Sequence, residues 1–429
     1  DDLGAAHAAL HELPPLVTSF EVERLKTYIT EAQQGKRLLL QGGDCAETLA
    51  DCRPAVISAK LKILLQMSLV LIHAARKPVI RAGRFAGQYA KPRSRPTETR
   101  TLNGQEVTLP SYFGDLVNRA EFSEQARTID PWHLVDGYKH AAMTLNFIRS
   151  LTESGFADLH HPEYWDLSFV DSAGLSPELR DKYQRATQEV AASLEFMQAL
   201  GDGSVDELSR VEFFTTHEGL NLLYESAQTR TVPRRDGWYC LTTHLPWIGE
   251  RTRAVDGAHV EFFRGVQNPV GVKVGPTATA DDIRRLLDRI NPDDLPGKVV
   301  LITRMGASKI GDGLPPILSA VKNEGRTVLW VSDPMHGNTE STGSGKKTRN
   351  FDNILREVEA AIDIHEAEGT VFGGVHFELT GDDVTECIGG ADGLTEADLD
   401  LNYATACDPR LNYRQALEMA IRVGDKLRK

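Results

Sequence analysis

The feature that most constrains this chain is an alternation. Short apolar runs, each long enough for a buried strand, are separated by longer stretches with helical spacing. The runs fall at residues 37–41, 79–84, 211–217, 237–244, 270–274, 299–304, 328–333 and 373–378. Helical patterns lie between most of them, at 55–76, 218–229, 281–290, 314–324 and 353–367, and Thr279 with Asp282 is spaced as a capping box before the third. Parallel strands need crossover connections, so repeated strand–helix units imply a parallel sheet. Eight such units predict an α/β fold, a (β/α)8 TIM barrel. No fixed-period repeat points to a solenoid.

The 429 residues read as one barrel domain, 1–429, with two additions. Residues 1–37 form an N-terminal helical extension broken at Pro14-Pro15. Residues 91–210 separate strands 2 and 3 by far more than one crossover helix requires, and read as an accessory helical insertion. Its helical patterns lie near 138–151 and 177–200, flanking the aromatic stretch HHPEYWDLSF, and suit regulation or oligomer contacts. A net charge of −13 excludes general attraction to nucleic acid or an anionic membrane surface, so any anion site must be a local basic pocket. The apolar stretch 61–75 is interrupted by Lys62, Gln66, Ser68 and His73 and is not expected to span a membrane. Five scattered cysteines with no CxxC pair imply a reducing compartment, and DDLGAAHAAL lacks the character of a secretory signal; the protein is expected to be cytoplasmic.

In a barrel the chemistry sits at the carboxyl ends of the strands. Those ends supply Cys45, Arg84, His217, the His244 to Arg251 stretch, Lys273, Arg304, Asp333 with His336, and Glu378. Turn formers would be the ordinary occupants; cations and metal-capable groups stand there instead. Cys45, His336 and Glu378 end strands 1, 7 and 8, which are neighbours in a closed barrel, and Asp408 lies just past strand 8. This sulfur, nitrogen and oxygen set suits Mn²⁺, Co²⁺, Fe²⁺ or Zn²⁺ rather than Mg²⁺ or Ca²⁺. Arg84, Arg251, Lys273 and Arg304 would make a positive pocket for phosphate and carboxylate. Lys273 has apolar flanks that would bury it; the alternative to an anion is a pair with Glu250 or Asp333. Lys91, Arg93 and Arg95 on one loop, with Lys346, Lys347 and Arg349 on another, offer a second phosphate site.

The strings QGGDCAE, RAGRFAGQYAKPRS, HLPWIGERTR, VGVKVGPT, ITRMGA, WVSDPMHGNT, GGVHFELTGDDVTEC and CDPRLN, in order over residues 41–412, resemble the type II 3-deoxy-D-arabino-heptulosonate 7-phosphate (DAHP) synthases. The resemblance implies a metal-dependent barrel transferase that condenses phosphoenolpyruvate with D-erythrose 4-phosphate, the first step of the shikimate pathway. It places the metal on Cys45, His336, Glu378 and Asp408, with Mn²⁺ or Co²⁺ foremost. Phosphoenolpyruvate contacts fall on Arg84, Glu250, Arg251, Lys273 and Arg304, and sugar-phosphate contacts on Arg93, Ser94, Lys347 and Arg349. Lys273, Glu250, Arg304 and His336 become the catalytic candidates, and Asp333 a carboxylate behind them. It further implies an aromatic amino acid effector and a homo-oligomer, dimer or tetramer, built partly from the insertion. The departure is at the amino terminus, where the extension of some members is short here, leaving their terminal regulatory site in question. Another barrel lyase or aldolase, including a Schiff-base enzyme using Lys273, would share the cation pocket without needing Cys45 and Glu378 together. Cys407 adjoins Asp408, so oxidation linking it to Cys45 would be expected to expel a metal.

Overall fold

A computed structural model describes residues 2–153 and 212–428 and, between them, 176–182, 184, 185, 188 and 192. Eight parallel strands close a barrel in chain order: β1 (Leu38–Gly43), β2 (Val79–Arg84), β3 (Phe214–Glu218), β4 (Leu245–Ile248), β5 (Val270–Val274), β6 (Val299–Thr303), β7 (Leu329–Ser332) and β8 (Phe372–Glu378). Before the barrel come α1 (Asp2–Glu12) and α2 (Ser19–Gln33), either side of the break at Pro14-Pro15. Among the helices that follow are α3 (Pro54–Ala75), α4 (His133–Glu153), α5 (Leu222–Ala227), α6 (Ala258–Arg264), α7 (Ala280–Ile290), α8 (Ile310–Asn323), α9 (Phe351–Glu368) and α10 (Tyr413–Leu427).

Strands covered on both faces read as continuous apolar runs, as β6 does, while β5 is interrupted by Gly271 and Lys273. Inside, Leu39, Ile80, Phe214, Val300, Ile302 and Val331 form one cluster with Leu25, Ile29 and Ala32 of α2, so the extension plugs the barrel at the end away from the site. A capping box between Thr18 and Glu21 starts that helix. Outside, α3 packs with α10 over β1 and β8. It is long and apolar enough to cross a membrane, but 67% of its apolar window is buried, as in a core helix. Register sets the height of the functional groups: Gly43 pairs with Arg84 on β2 and with Glu378 on β8. A Cβ on Gly43 (φ 143°) would stand 2.9 Å from the Arg84 carbonyl, so this close approach needs glycine.

Two expectations need correction. The run 237–244 is not the fourth barrel strand; Tyr239–Cys240 pairs antiparallel with Thr229–Arg230, and Leu245–Ile248 takes the barrel position. His244 explains the shift, because its Nδ1 accepts the Thr215 backbone N–H at 2.9 Å. Pro246 lies inside the Leu245–Ile248 strand and gives no ladder donor, so the run does not read as a strand by pattern. The insertion is also not purely helical. It opens with a hairpin, Thr97–Leu102 against Gln105–Pro110, turning on Asn103-Gly104, both at positive φ. The helix expected near 138–151 is α4, and the second begins as helix at 177–182. HHPEYWDLSF lies outside the described residues.

Candidate active site at the carboxyl-terminal mouth

The loop after β1 brings Cys45 to the mouth, where its sulfur and carboxylate oxygens of Glu378 and Asp408 all lie within 4.8 Å of one another. Cys45 Sγ is 3.6 Å from Asp408 Oδ2 and accepts the Asp408 backbone N–H at 3.3 Å. His336 joins through Glu378, with Nε2 3.0 Å from Oε1. Its Nδ1 lies 2.7 Å from Asp333 Oδ2, the outer carboxylate that commonly orients a metal-bound imidazole. Burial, the Cys407 sulfur and the Glu378 carboxylate push the Cys45 thiol well above its usual range. Such a thiol ionises only against a strong local cation, which a divalent ion provides. The donor set therefore fits a borderline divalent metal.

These anions are matched by buried cations. Arg84 donates to Glu378 Oε1 at 2.9 Å and Arg349 to Oε2 at 2.7 Å. Burial by itself would raise the Glu378 carboxyl, but His336, Arg349 and Arg84 outweigh it and hold it well below the carboxylate range. Arg349 thus departs from its expected place at a sugar phosphate. It is fully buried, donating also to Thr339 Oγ1 at 2.9 Å and to the Pro409 carbonyl, because an ionised carboxylate without solvent needs hydrogen-bonded counter-ions. Lys91, expected at the second phosphate site, instead has Nζ 2.8 Å from Cys45 Sγ and 3.0 Å from Asp408 Oδ2. Lys347 reaches Asp408 Oδ1 at 2.9 Å. Lys346 pairs with Asp400, away from the mouth.

Beside this cluster opens a cavity of about 880 Å³, lined by Arg84, Glu250, Arg251, Lys273 and Arg304, with Arg93, Ser94 and Lys347 also in its wall. Lys273 has Asp333 as its partner, of the two considered, and lies 5.7 Å from the Trp247 ring centre. Burial pulls its ammonium down to about 8 while Asp333 pushes back. Arg251 donates to the Pro92 carbonyl at 3.2 Å and Ser94 Oγ at 3.1 Å, joining the strand-end pocket to the loop of Arg93 and Ser94. Arg304 donates to the His336 carbonyl at 2.7 Å. Glu250 takes a bond from Arg253 at 3.0 Å on Oε1, while Oε2 is buried without a hydrogen-bond partner. Gly275 allows this crowding: a Cβ there would stand 2.8 Å from Arg304 Nη1 and 2.9 Å from Glu250 Cδ. Arg93 donates to Cys407 Sγ at 3.4 Å and approaches Glu98 at 3.7 Å.

Two groups were missed. His376 Nε2 sits 2.8 Å from Arg84 Nη1, and Trp247 lies under both Arg84 and Lys273. His376 precedes Glu378 by two residues on β8, so strand alternation alone places both on the inner face. His217 and His244 serve elsewhere, the first bonded to Glu225 at 2.8 Å and the second to Thr215.

A parallel barrel with its cations and ligand-capable groups gathered at one rim belongs to the enzymes that work on small anionic substrates at the strand ends. The class-II DAHP synthetase family model matches residues 1–424. Curated relatives named phospho-2-dehydro-3-deoxyheptonate aldolase include one from Neurospora crassa, 48% identical over 435 residues and covering 98% of this chain and 88% of its own. One from Streptomyces coelicolor is 46% identical over 426 residues, covering 99% and 93%. One from Mycolicibacterium smegmatis is 42% identical over 433 residues, covering 100% and 91%. The chain belongs to the class-II DAHP synthetase family. It is a transferase of the DAHP synthase type, condensing phosphoenolpyruvate with D-erythrose 4-phosphate in the shikimate pathway.

Proposed function

We propose that this DAHP synthase depends on a divalent metal held by Cys45, His336, Glu378 and Asp408, with Mn²⁺ or Co²⁺ preferred and Fe²⁺ or Zn²⁺ accepted. The observation that carries the reading is the meeting of Cys45, Glu378 and Asp408 within 4.8 Å beside a cation-lined cavity. When bound, the ion supplies Lewis-acid polarisation of the aldehyde of D-erythrose 4-phosphate. Arg84, Arg251, Lys273 and Arg304 hold the phosphate and carboxylate of phosphoenolpyruvate. Arg93, Ser94 and Lys347 hold the far phosphate of the sugar. As carbon 3 of phosphoenolpyruvate attacks the aldehyde, Lys273 Nζ, oriented by Asp333, gives a proton to the developing alkoxide. Glu250 Oε2 accepts a proton from the water that adds at carbon 2, and phosphate departs against Arg84 and Arg304. Arg304, bonded to the His336 carbonyl, links this pocket to the ligand set.

The assay is phosphoenolpyruvate disappearance with D-erythrose 4-phosphate. Exhaustive chelation is expected to abolish turnover, and Mn²⁺ or Co²⁺ to restore it; full activity after chelation refutes metal dependence. We further propose feedback by an aromatic amino acid and a cytoplasmic homo-oligomer, dimer or tetramer, in which the insertion takes part. Exposed Ile129, Trp132 and Met143 in and beside α4 support a contact surface there. Inhibition by none of the three aromatic amino acids, or a monomeric mass by light scattering, removes the respective part.

A further inference from the structure

Behind the ligand set runs a largely buried chain of four charges outside the cavity lining: Lys60, Asp44, Arg410 and Glu386. Asp44 immediately precedes Cys45, and Arg410 follows Asp408 by two residues. Arg410 Nη1 donates to Asp44 Oδ1 at 2.6 Å, and Lys60 of α3 pairs with the other Asp44 oxygen. On its opposite side Arg410 grips Glu386, through Nη2 to Oε1 at 2.8 Å and Nε to Oε2 at 3.1 Å. Glu386 also accepts the backbone N–H of Arg410 at 2.8 Å and of Ala404 at 3.3 Å, so it fastens both ends of the loop that carries Asp408. Asp44 and Glu386 are wholly buried, and Lys60 is 5% exposed.

Cys45 and Asp408 lie 363 positions apart and come from segments with no ladder between them. Lys60 also lies 3.7 Å from Asp51, so the cations of this chain are matched by carboxylates outside the ligand set. The fork geometry of Arg410 does something else: one guanidinium holds the segment of Cys45 and the segment of Asp408 at a fixed separation. We propose that Arg410, braced by Asp44 and Glu386, is a positioning residue that sets the Cys45–Asp408 spacing and thereby the affinity and sulfur character of the metal site. This rests on the reading of Cys45 and Asp408 as ligands.

The test is titration of the full-length, metal-stripped protein with Mn²⁺ and, separately, Co²⁺. Arg410→Lys keeps the charge but can bridge only one carboxylate. It is expected to weaken Mn²⁺ binding about 10- to 100-fold, as loss of outer partners does. The sulfur-to-cobalt charge-transfer band should also weaken, while the KM for phosphoenolpyruvate at saturating Mn²⁺ stays within twofold of the parent. Glu386→Gln, which keeps one of the two acceptor oxygens at the loop ends and removes the charge, serves where Arg410→Lys does not fold and should weaken Mn²⁺ binding in the same direction. Folded variants with unchanged Mn²⁺ affinity and an unchanged cobalt band overturn the proposal. So does a matched rise in Mn²⁺ dissociation constant and substrate KM, which marks general loosening. Cys45→Ser separates the premises: unaltered affinity and band in that variant remove the ligand reading itself, whatever Arg410→Lys does.

Discussion

The mouth of the barrel has two walls built on opposite electrostatic plans. On the β1, β7 and β8 side the ligand carboxylates have their counter-ions. Glu378 is held by Arg84, Arg349 and His336, and Asp408 by Lys91 and Lys347. On the β4 and β6 side the two cations that line the cavity have neutral hydrogen-bond partners, Arg251 a carbonyl and a hydroxyl, Arg304 a carbonyl. A buried ion without compensation costs several kcal/mol. The ligand wall therefore exists preassembled, whereas the substrate wall keeps its positive charge for anions that arrive from solution. Lys273, paired with Asp333 and standing in the cavity wall, belongs to both. Substitutions that confuse the two plans should have the largest effects.

The largest is expected from Glu378→Gln. It removes a ligand and also leaves Arg84 and Arg349 buried without an ionised partner, so about 3–5 kcal/mol of stability should be lost along with Mn²⁺ binding. Melting temperature and titration measure both. A variant as stable as the parent would mean that the wall is not internally compensated.

Lys273→Met comes next, with kcat/KM lowered about 10²- to 10⁴-fold at unchanged Mn²⁺ affinity, as for loss of a general acid. The parent should show the same group in its pH profile. Burial brings Lys273 down to about 8, so the ammonium disappears as pH rises through that value and kcat/KM falls with it. Its contribution to stability has the opposite sign. The unfolded chain holds the proton up to its ordinary, higher pKa, so stability grows with pH over the same interval. Lys273→Arg should move the kinetic limb above the accessible range. A limb that stays near 8 in that variant assigns it to another group.

Much of this was legible beforehand. The alternation of apolar runs and helical spacing identified the barrel, and the strand-end residues Cys45, Glu378, Lys273 and Arg304 do gather at its one mouth. What failed did so for local physical reasons. The aromatic and threonine-rich run at 237–244 has strand propensity, yet its His244 side chain is spent on the backbone of β3, and proline hid the true strand. Arg349 was read from its neighbours as a loop cation, but burial of Glu378, 29 positions away, decides where it points. Pairings set by long-range packing, including Lys91 with Cys45, leave no trace in spacing. The hairpin at Asn103-Gly104 is different: its turn signal was present and was overlooked.

Gly275→Ala tests how tightly the substrate wall is packed. The added Cβ meets the ends of two side chains, Arg304 and Glu250, rather than backbone, so they should shift by tenths of an ångström without unfolding. Such misplacement is expected to lower kcat/KM about tenfold at an unchanged melting temperature. A variant with full activity would show that neither group is held to a fixed position.

Arg251→Ala should be the mildest, and it distinguishes a holding role from a catalytic one. Arg251 is exposed and rests on Pro92 and Ser94, so its charge is partly screened and its bond to a substrate anion is worth about 1 kcal/mol rather than the 1.5–3 of a buried charged bond. That corresponds to roughly a fivefold rise in KM. If Arg251 binds ground state and transition state alike, kcat is unchanged. Because its two bonds join the strand-end pocket to the loop of Arg93 and Ser94, the substrate whose KM rises reports which phosphate it serves. A rise for phosphoenolpyruvate alone keeps it on the strand-end wall, and a rise for the sugar phosphate alone moves it to the outer loop. A fall in kcat with both KM values unchanged would contradict the division of the mouth into a preassembled wall and a receptive one, since an exposed cation on neutral partners would then be acting in the transition state.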